Sequence, residues 1–164
     1  MAELIPFDDR DGKIWFDGKL IDWRDAQIHV LTHGLHYASC VFEGERSYGG
    51  KIFKVREHGE RLHASANILG FEIPWSVEAL EKARYEVLKA NDIVDGYVRP
   101  VAWRGSEMMG VAAQKNTIHV AIAACQPNET AKEFPLQPPR RGAFTAAFEV
   151  AVHETATAAI YTDV

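Results

Sequence analysis

Hydrophobic positions sit at strand spacing near the N-terminus and shift to helical spacing in the middle of the chain. In Lys13–Trp23, aromatic and β-branched residues flank Asp17-Gly18. That dipeptide tolerates the positive φ of a type I′ turn, so the stretch predicts a β-hairpin. Ala26–Thr32 carries Ile28 and Val30 at strand spacing and predicts a short strand. Beyond a Gly/His/Tyr-rich segment that does not look helical come three more strand-like runs. They are Ser39–Glu43, Arg46–Tyr48 and, after a turn at Gly49-Gly50, Lys51–Val55. From Glu57 to Leu69 the spacing changes, with His58, Leu62, Ser65 or Ala66, and Leu69 on one helical stripe. Gly70 suits the left-handed residue that closes a helix. A second helix opens at Ser76, a good N-cap, with Glu78 in its first turn. Val77, Leu80, Ala83, Val87 and Leu88 form its apolar face, and Asn91 is its stop. Tyr97–Trp103 and Thr117–Ala124 predict two further strands. The order of strands, two helices, then strands reads as α+β: an antiparallel sheet with helices packed on one face.

Composition narrows the picture. The chain has 164 residues, the size of one ordinary domain with its own core. Its 18 basic and 23 acidic residues give a net charge of −5, which argues against a sequence-independent nucleic-acid binder. Two cysteines, Cys40 and Cys125, make no disulfide framework and favour a reducing compartment. Neither a leader-like N-terminus nor a run of membrane-spanning length stands out. The expectation is a soluble, cytoplasmic protein with no nucleic-acid or membrane partner. Character shifts at residue 125: four of the seven prolines fall at Pro127, Pro135, Pro138 and Pro139. Residues 143–160 mix Ala with Thr and Val and fit neither helix nor strand well.

Four groups of residues suggest chemistry. His29, His33 and His36 have offsets that would align on a helix and ligate zinc. No Cys or carboxylate completes such a site, so hydrogen-bonded structural histidines are expected and no metal. Arg61 is either a solvated helix-face arginine or an anion clamp whose planar fork matches a phosphate. Tyr97 and Arg99 lie two apart on a strand and share a face. An inward arginine there needs a carboxylate, from the protein or from a substrate. Met108-Met109-Gly110-Val111 is an adaptable apolar loop.

Taken together, these motifs resemble one family. Thr32–Tyr37, Val41-Phe-Glu-Gly44 with Arg46 and Tyr48, Glu57-His58 with Arg61-Leu62, and Tyr97-Val-Arg-Pro100 stand in its order and spacing. The chain resembles, from about Ile14 to Ala124, the N-terminal domain of branched-chain amino acid aminotransferases, class IV enzymes of pyridoxal-phosphate fold type IV. The resemblance implies amino-group transfer between Leu, Ile or Val and 2-oxoglutarate with pyridoxal 5′-phosphate as cofactor. It implies that Arg61 binds the cofactor phosphate, and that Tyr97 and Arg99 place the substrate carboxylate. Phe42 and Gly44 would wall the aliphatic side chain. Tyr37 and Val111 would reach the partner's pocket, which implies a homodimer.

The family also has a lysine that forms a Schiff base with the cofactor, and by family spacing it should fall near Tyr161. The last lysine here is Lys132, in surroundings unlike the family motif. The reading is therefore an aminotransferase-like domain over residues 1–124, a divergent tail over 125–164, and no transamination by the 164 residues alone. Two further readings are a non-catalytic fragment that binds through its dimer surface and a relative of aminodeoxychorismate lyase.

Overall fold

The protein is described from a computed structural model, which covers residues 6–126. The proline-rich tail from Pro127 and the unassigned stretch at 143–160 lie outside the described residues.

The hairpin forms as its sequence predicts. β1 (Lys13–Phe16) and β2 (Lys19–Asp22) pair antiparallel, with Asp17 at φ 45° and Gly18 at φ 96° in the turn. The chain then passes a short 3₁₀ turn at Trp23–Asp25 and reaches α1 (His33–Tyr37). Next come β3 (Cys40–Phe42), β4 (Glu45–Tyr48) and β5 (Lys51–Ile52). Two helices follow, α2 (Val55–Ile68) and α3 (Val77–Ala90), then β6 (Gly96–Arg104) and β7 (Ile118–Cys125). Among the described residues the strands join one seven-stranded sheet in the order β2-β1-β7-β6-β4-β5, with β3 also on β6. Every pairing is antiparallel. The α+β architecture is thus the one the pattern predicts.

Strand alternation sorts the side chains onto two faces. Trp15, Val41, Val98, Ala102, Val120, Ile122 and Ala124 join the core with Leu62 and Ala66 of α2 and Leu80, Ala83, Val87 and Leu88 of α3. Burying a large aliphatic side chain contributes roughly 1.5–3 kcal/mol, so this layer dominates the stability. The opposite face carries Phe16, Tyr97, Arg99, Val101, Trp103, Ala121 and Ala123. A cavity of about 340 Å³ opens there, with Arg99 the only charged side chain in its lining.

The helix ends follow from local chemistry. The Ser76 hydroxyl accepts a hydrogen bond from the Ala79 N–H and caps α3, and Asn91 ends it. Gly70 sits at φ 72°, where a side chain would be strained, and turns the chain back after α2.

Four local expectations fail. Ala26–Thr32 is not a strand. The Thr32 N–H and hydroxyl both donate to the His29 carbonyl and the Leu31 N–H to His29 Nδ1, so the segment turns on itself instead of joining the sheet. The Gly/His/Tyr-rich segment holds a helix of five residues, closed by Ala38 at φ 54°. The strand predicted over Lys51–Val55 ends at Ile52, because Lys54 enters the left-handed region (φ 54°) and starts α2. The helical stripe is also rotated: Gly59, Leu62 and Ala66 are buried, while Leu69 is exposed.

Candidate functional site

β3 and β4 run end to end along β6, and the break between them places the site. Val41, Glu43, Glu45 and Ser47 point toward the helices and are buried. Phe42 and Gly44 take the other face. The Glu43 N–H donates to the Pro100 carbonyl, so β6 holds the break in register.

On the open face the structure brings together Phe42, Gly44, Tyr97 and Arg99. Arg99 Nη2 donates to Tyr97 Oη at 3.0 Å. Its guanidinium lies over the rings of Phe42 (5.0 Å) and Tyr97 (5.2 Å). Aromatic faces attract a cation, so the arginine is held without a protein carboxylate. This corrects one expectation: Arg99 is exposed, and its partner is a phenol, not an acidic side chain. A Cβ on Gly44 would stand 2.6 Å from Tyr97 Oη, so glycine here is what admits the tyrosine. Tyr97 Oη already accepts a hydrogen bond from Arg99, which leaves its own hydroxyl proton free to donate outward. A phenol proton and a guanidinium edge side by side are donors of the kind a carboxylate accepts from.

On the helical side lies a second group. Arg61 donates through Nε to Glu43 Oε1 (2.7 Å) and through Nη2 to Glu43 Oε2 (2.6 Å). His58 Nδ1 lies 2.8 Å from the same Oε2. Burial alone would raise the Glu43 carboxyl, but the hydrogen bonds from Arg61 and His58 overcome it and hold the group below its usual value. Glu43 raises Arg61 in turn. Arg61 is therefore neither a free fork nor a merely solvated arginine. It is anchored on one edge, with its side chain 65% exposed.

Tyr37 and Val111 form a third group, built by α1 and the 105–117 loop. His33 is buried; its Nδ1 is 2.6 Å from Ser39 Oγ and its Nε2 is 3.3 Å from the Val111 carbonyl. The Tyr37 hydroxyl donates to the Met109 carbonyl at 3.5 Å. Tyr37 and Val111 present exposed side chains. His36 Nε2 is 2.9 Å from the Val30 carbonyl. The three histidines are thus bonded to their own surroundings, and among the described residues no set of three His, Cys, Asp or Glu side chains is placed for a metal.

Sequence reasoning did not assign roles to Glu43 or His58, though both stand in the motifs it quoted. It missed a buried pair as well. Arg84 Nε donates to Glu45 Oε1 at 2.8 Å with both side chains fully enclosed. Burial raises the Glu45 carboxyl.

Comparison with known proteins decides the family. The sequence pattern described as Amino-transferase class IV matches residues 40–144. The chain belongs to the class IV aminotransferases. The match continues past residue 124, beyond the stretch in which the resemblance was read. A probable branched-chain-amino-acid aminotransferase of Rickettsia bellii is 47% identical over 111 residues, 68% of this chain and 38% of the relative. The crystal structure of the Escherichia coli branched-chain amino acid aminotransferase superposes with TM-score 0.68 at 38% identity, over 71% of this chain and 40% of that one. The T.th. branched-chain enzyme with pyridoxamine 5′-phosphate gives the same TM-score and identity, over 71% and 41%. This class IV chain therefore spans about two fifths of the length of the relatives it matches.

Proposed function

We propose that residues 1–124 form the small domain of a branched-chain aminotransferase, the half that meets the cofactor phosphate and the substrate carboxylate. The supporting observation is the group of Tyr97, Arg99, Phe42 and Gly44: a carboxylate site beside an apolar wall, in a chain whose relatives are branched-chain enzymes. The reaction of the whole protein is amino-group transfer between Leu, Ile or Val and 2-oxoglutarate.

The residues present fit one end of pyridoxal phosphate. Arg61 keeps its Nη1 donors unengaged by any described residue and is open to solvent, which suits a phosphate oxygen. When bound, the cofactor supplies an electron sink for the bonds at the amino-acid α-carbon. The chain's own part is to bind and orient. Tyr97 and Arg99 take the substrate carboxylate, and Phe42 with Gly44 bounds the aliphatic group. Tyr37 and Val111 belong to the surface that meets a second copy, so the working unit is a homodimer. A chain with two cysteines and no disulfide framework supports a cytoplasmic location.

The family lysine does not stand in its motif among the 164 residues, so transfer by these residues alone is not expected. That observation favours, as a second reading, a chain that binds without turning over. Pyridoxamine 5′-phosphate separates binding from chemistry, because it carries its own amine. Titrating it into the chain while following side-chain resonances tests the assignment. Wild type responds at Arg61 and at neighbouring His58, and Arg61→Ala loses the response at His58. Equal responses from both would sink the reading.

A further inference from the structure

We infer that Glu43 is a positioning residue for anion binding: it fixes the Nε/Nη2 edge of Arg61 and turns the opposite, Nη1-bearing end to a phosphate. The inference rests on the assignment of Arg61 above and adds the device that aims it.

Three observations carry it. First, the pair is asymmetric in burial. The Glu43 side chain is 6% exposed and that of Arg61 65%, so the carboxylate is the fixed member and the guanidinium the part it holds. Second, Glu43 is itself held from two sides. Its N–H donates to the Pro100 carbonyl, which locks the backbone to β6, and His58 Nδ1 lies against Oε2. Third, the guanidinium meets the carboxylate edge-on through two donors at 2.7 and 2.6 Å. That geometry removes rotation about the last bonds of a long side chain that would otherwise have to be ordered on binding. A phosphate then meets the preset Nη1-bearing end of the guanidinium instead of a freely rotating side chain.

The opposite effect of Glu43 is equally plain. A carboxylate this close to Arg61 cancels part of the charge that draws an anion. The two effects predict opposite signs for one substitution, which makes the inference testable. Glu43→Gln keeps the shape and removes the charge and the ionic fork. If positioning dominates, affinity for pyridoxamine 5′-phosphate falls by about tenfold, the size expected when an ordered long side chain is released. If charge cancellation dominates, affinity rises. The measurement is a titration of the 164-residue chain with pyridoxamine 5′-phosphate, and with inorganic phosphate into the tens-of-millimolar range. Arginine side-chain nitrogen resonances give the readout.

In wild type, the Arg61 Nε–H is expected to keep its own shift throughout while the Nη1 protons move. In Glu43→Gln, Nε–H loses its distinct shift before any ligand is added. A merely structural carboxylate would leave the affinity of the folded variant unchanged. Unchanged or tighter binding overturns the positioning role and leaves Arg61 as the phosphate ligand. Movement of Nε instead of Nη1 on binding overturns the single-edge geometry. No response of wild-type Arg61 to either ligand overturns the Arg61 assignment and this inference with it.

Discussion

One absent methyl group shapes the Tyr97–Arg99 group. Gly44 lets Tyr97 Oη sit 3.0 Å from Arg99, because a Cβ would fall 2.6 Å from that oxygen. Gly44→Ala is expected to leave the fold intact and swing the phenol away from Arg99. A crystal structure of the variant, or the loss of the phenol-to-arginine contact by NMR, checks this; an unmoved tyrosine would refute it. Buried charge acts at the same scale. Arg84 and Glu45 are both fully enclosed, and Arg84 Nη1 and Nη2 find no partner among the described residues. Removing one partner strands the other, so Glu45→Gln should cost about 3–5 kcal/mol in urea unfolding. Glu45→Leu with Arg84→Met should recover most of it. Tyr97 and Arg99 were legible as neighbours because residues two apart on a strand share a face, whereas Phe42 and Gly44 were named only through the family resemblance. Glu43 and Arg84 were not legible. Their partners lie 18 and 39 positions away, and a charged residue among apolar ones reads as solvated until the helix is docked.

Elements were legible where their ends carry their own chemistry. Ser76 and Gly70 announce where α3 begins and where α2 turns, and both do so in the structure. Ser76→Ala should lower stability by about 1 kcal/mol, measured by urea unfolding, with no change in the site groups. Elements were misread where a side chain competes for the backbone. Ile28 and Val30 have strand spacing, but the hydrogen bonds around His29 take the groups a sheet would need. Helix α2 also carries a pH dependence. Burial, aided by the charge of Arg84, holds His63 below its usual value of 6.5. Its protonation therefore favours the unfolded chain. The associated stability is complete above pH 6.5 and declines as pH falls through that value toward the folded-state pKa. Wild type should lose more of its urea midpoint between about pH 7.5 and 5.5 than His63→Gln does. An equal loss in both would place the acid sensitivity elsewhere.

At the scale of the whole molecule, the α+β sheet was readable from the order of periods, because each strand buries one face and each helix one stripe. A second copy was expected only through resemblance, since no periodicity tells an exposed apolar side chain from one awaiting a partner. The structure adds the physical case. α1 and the 105–117 loop converge through His33, Ser39 and the Val111 carbonyl. They hold Leu35 (61% exposed), Tyr37 (45%), Met109 (69%) and Val111 (77%) toward solvent. Large apolar side chains held out by a buried hydrogen-bond network mark an interaction surface, and a self-complementary pair is the commonest outcome. The chain should therefore sediment as a dimer at micromolar concentration. Leu35→Asp combined with Val111→Asp should convert it to a monomer with an unchanged circular dichroism spectrum, because neither side chain contributes to the core. A monomeric wild type, or a double variant that stays dimeric, would remove Tyr37 and Val111 from the proposed site. Arg61, Tyr97 and Arg99 would keep their roles, since those rest on contacts made within one chain.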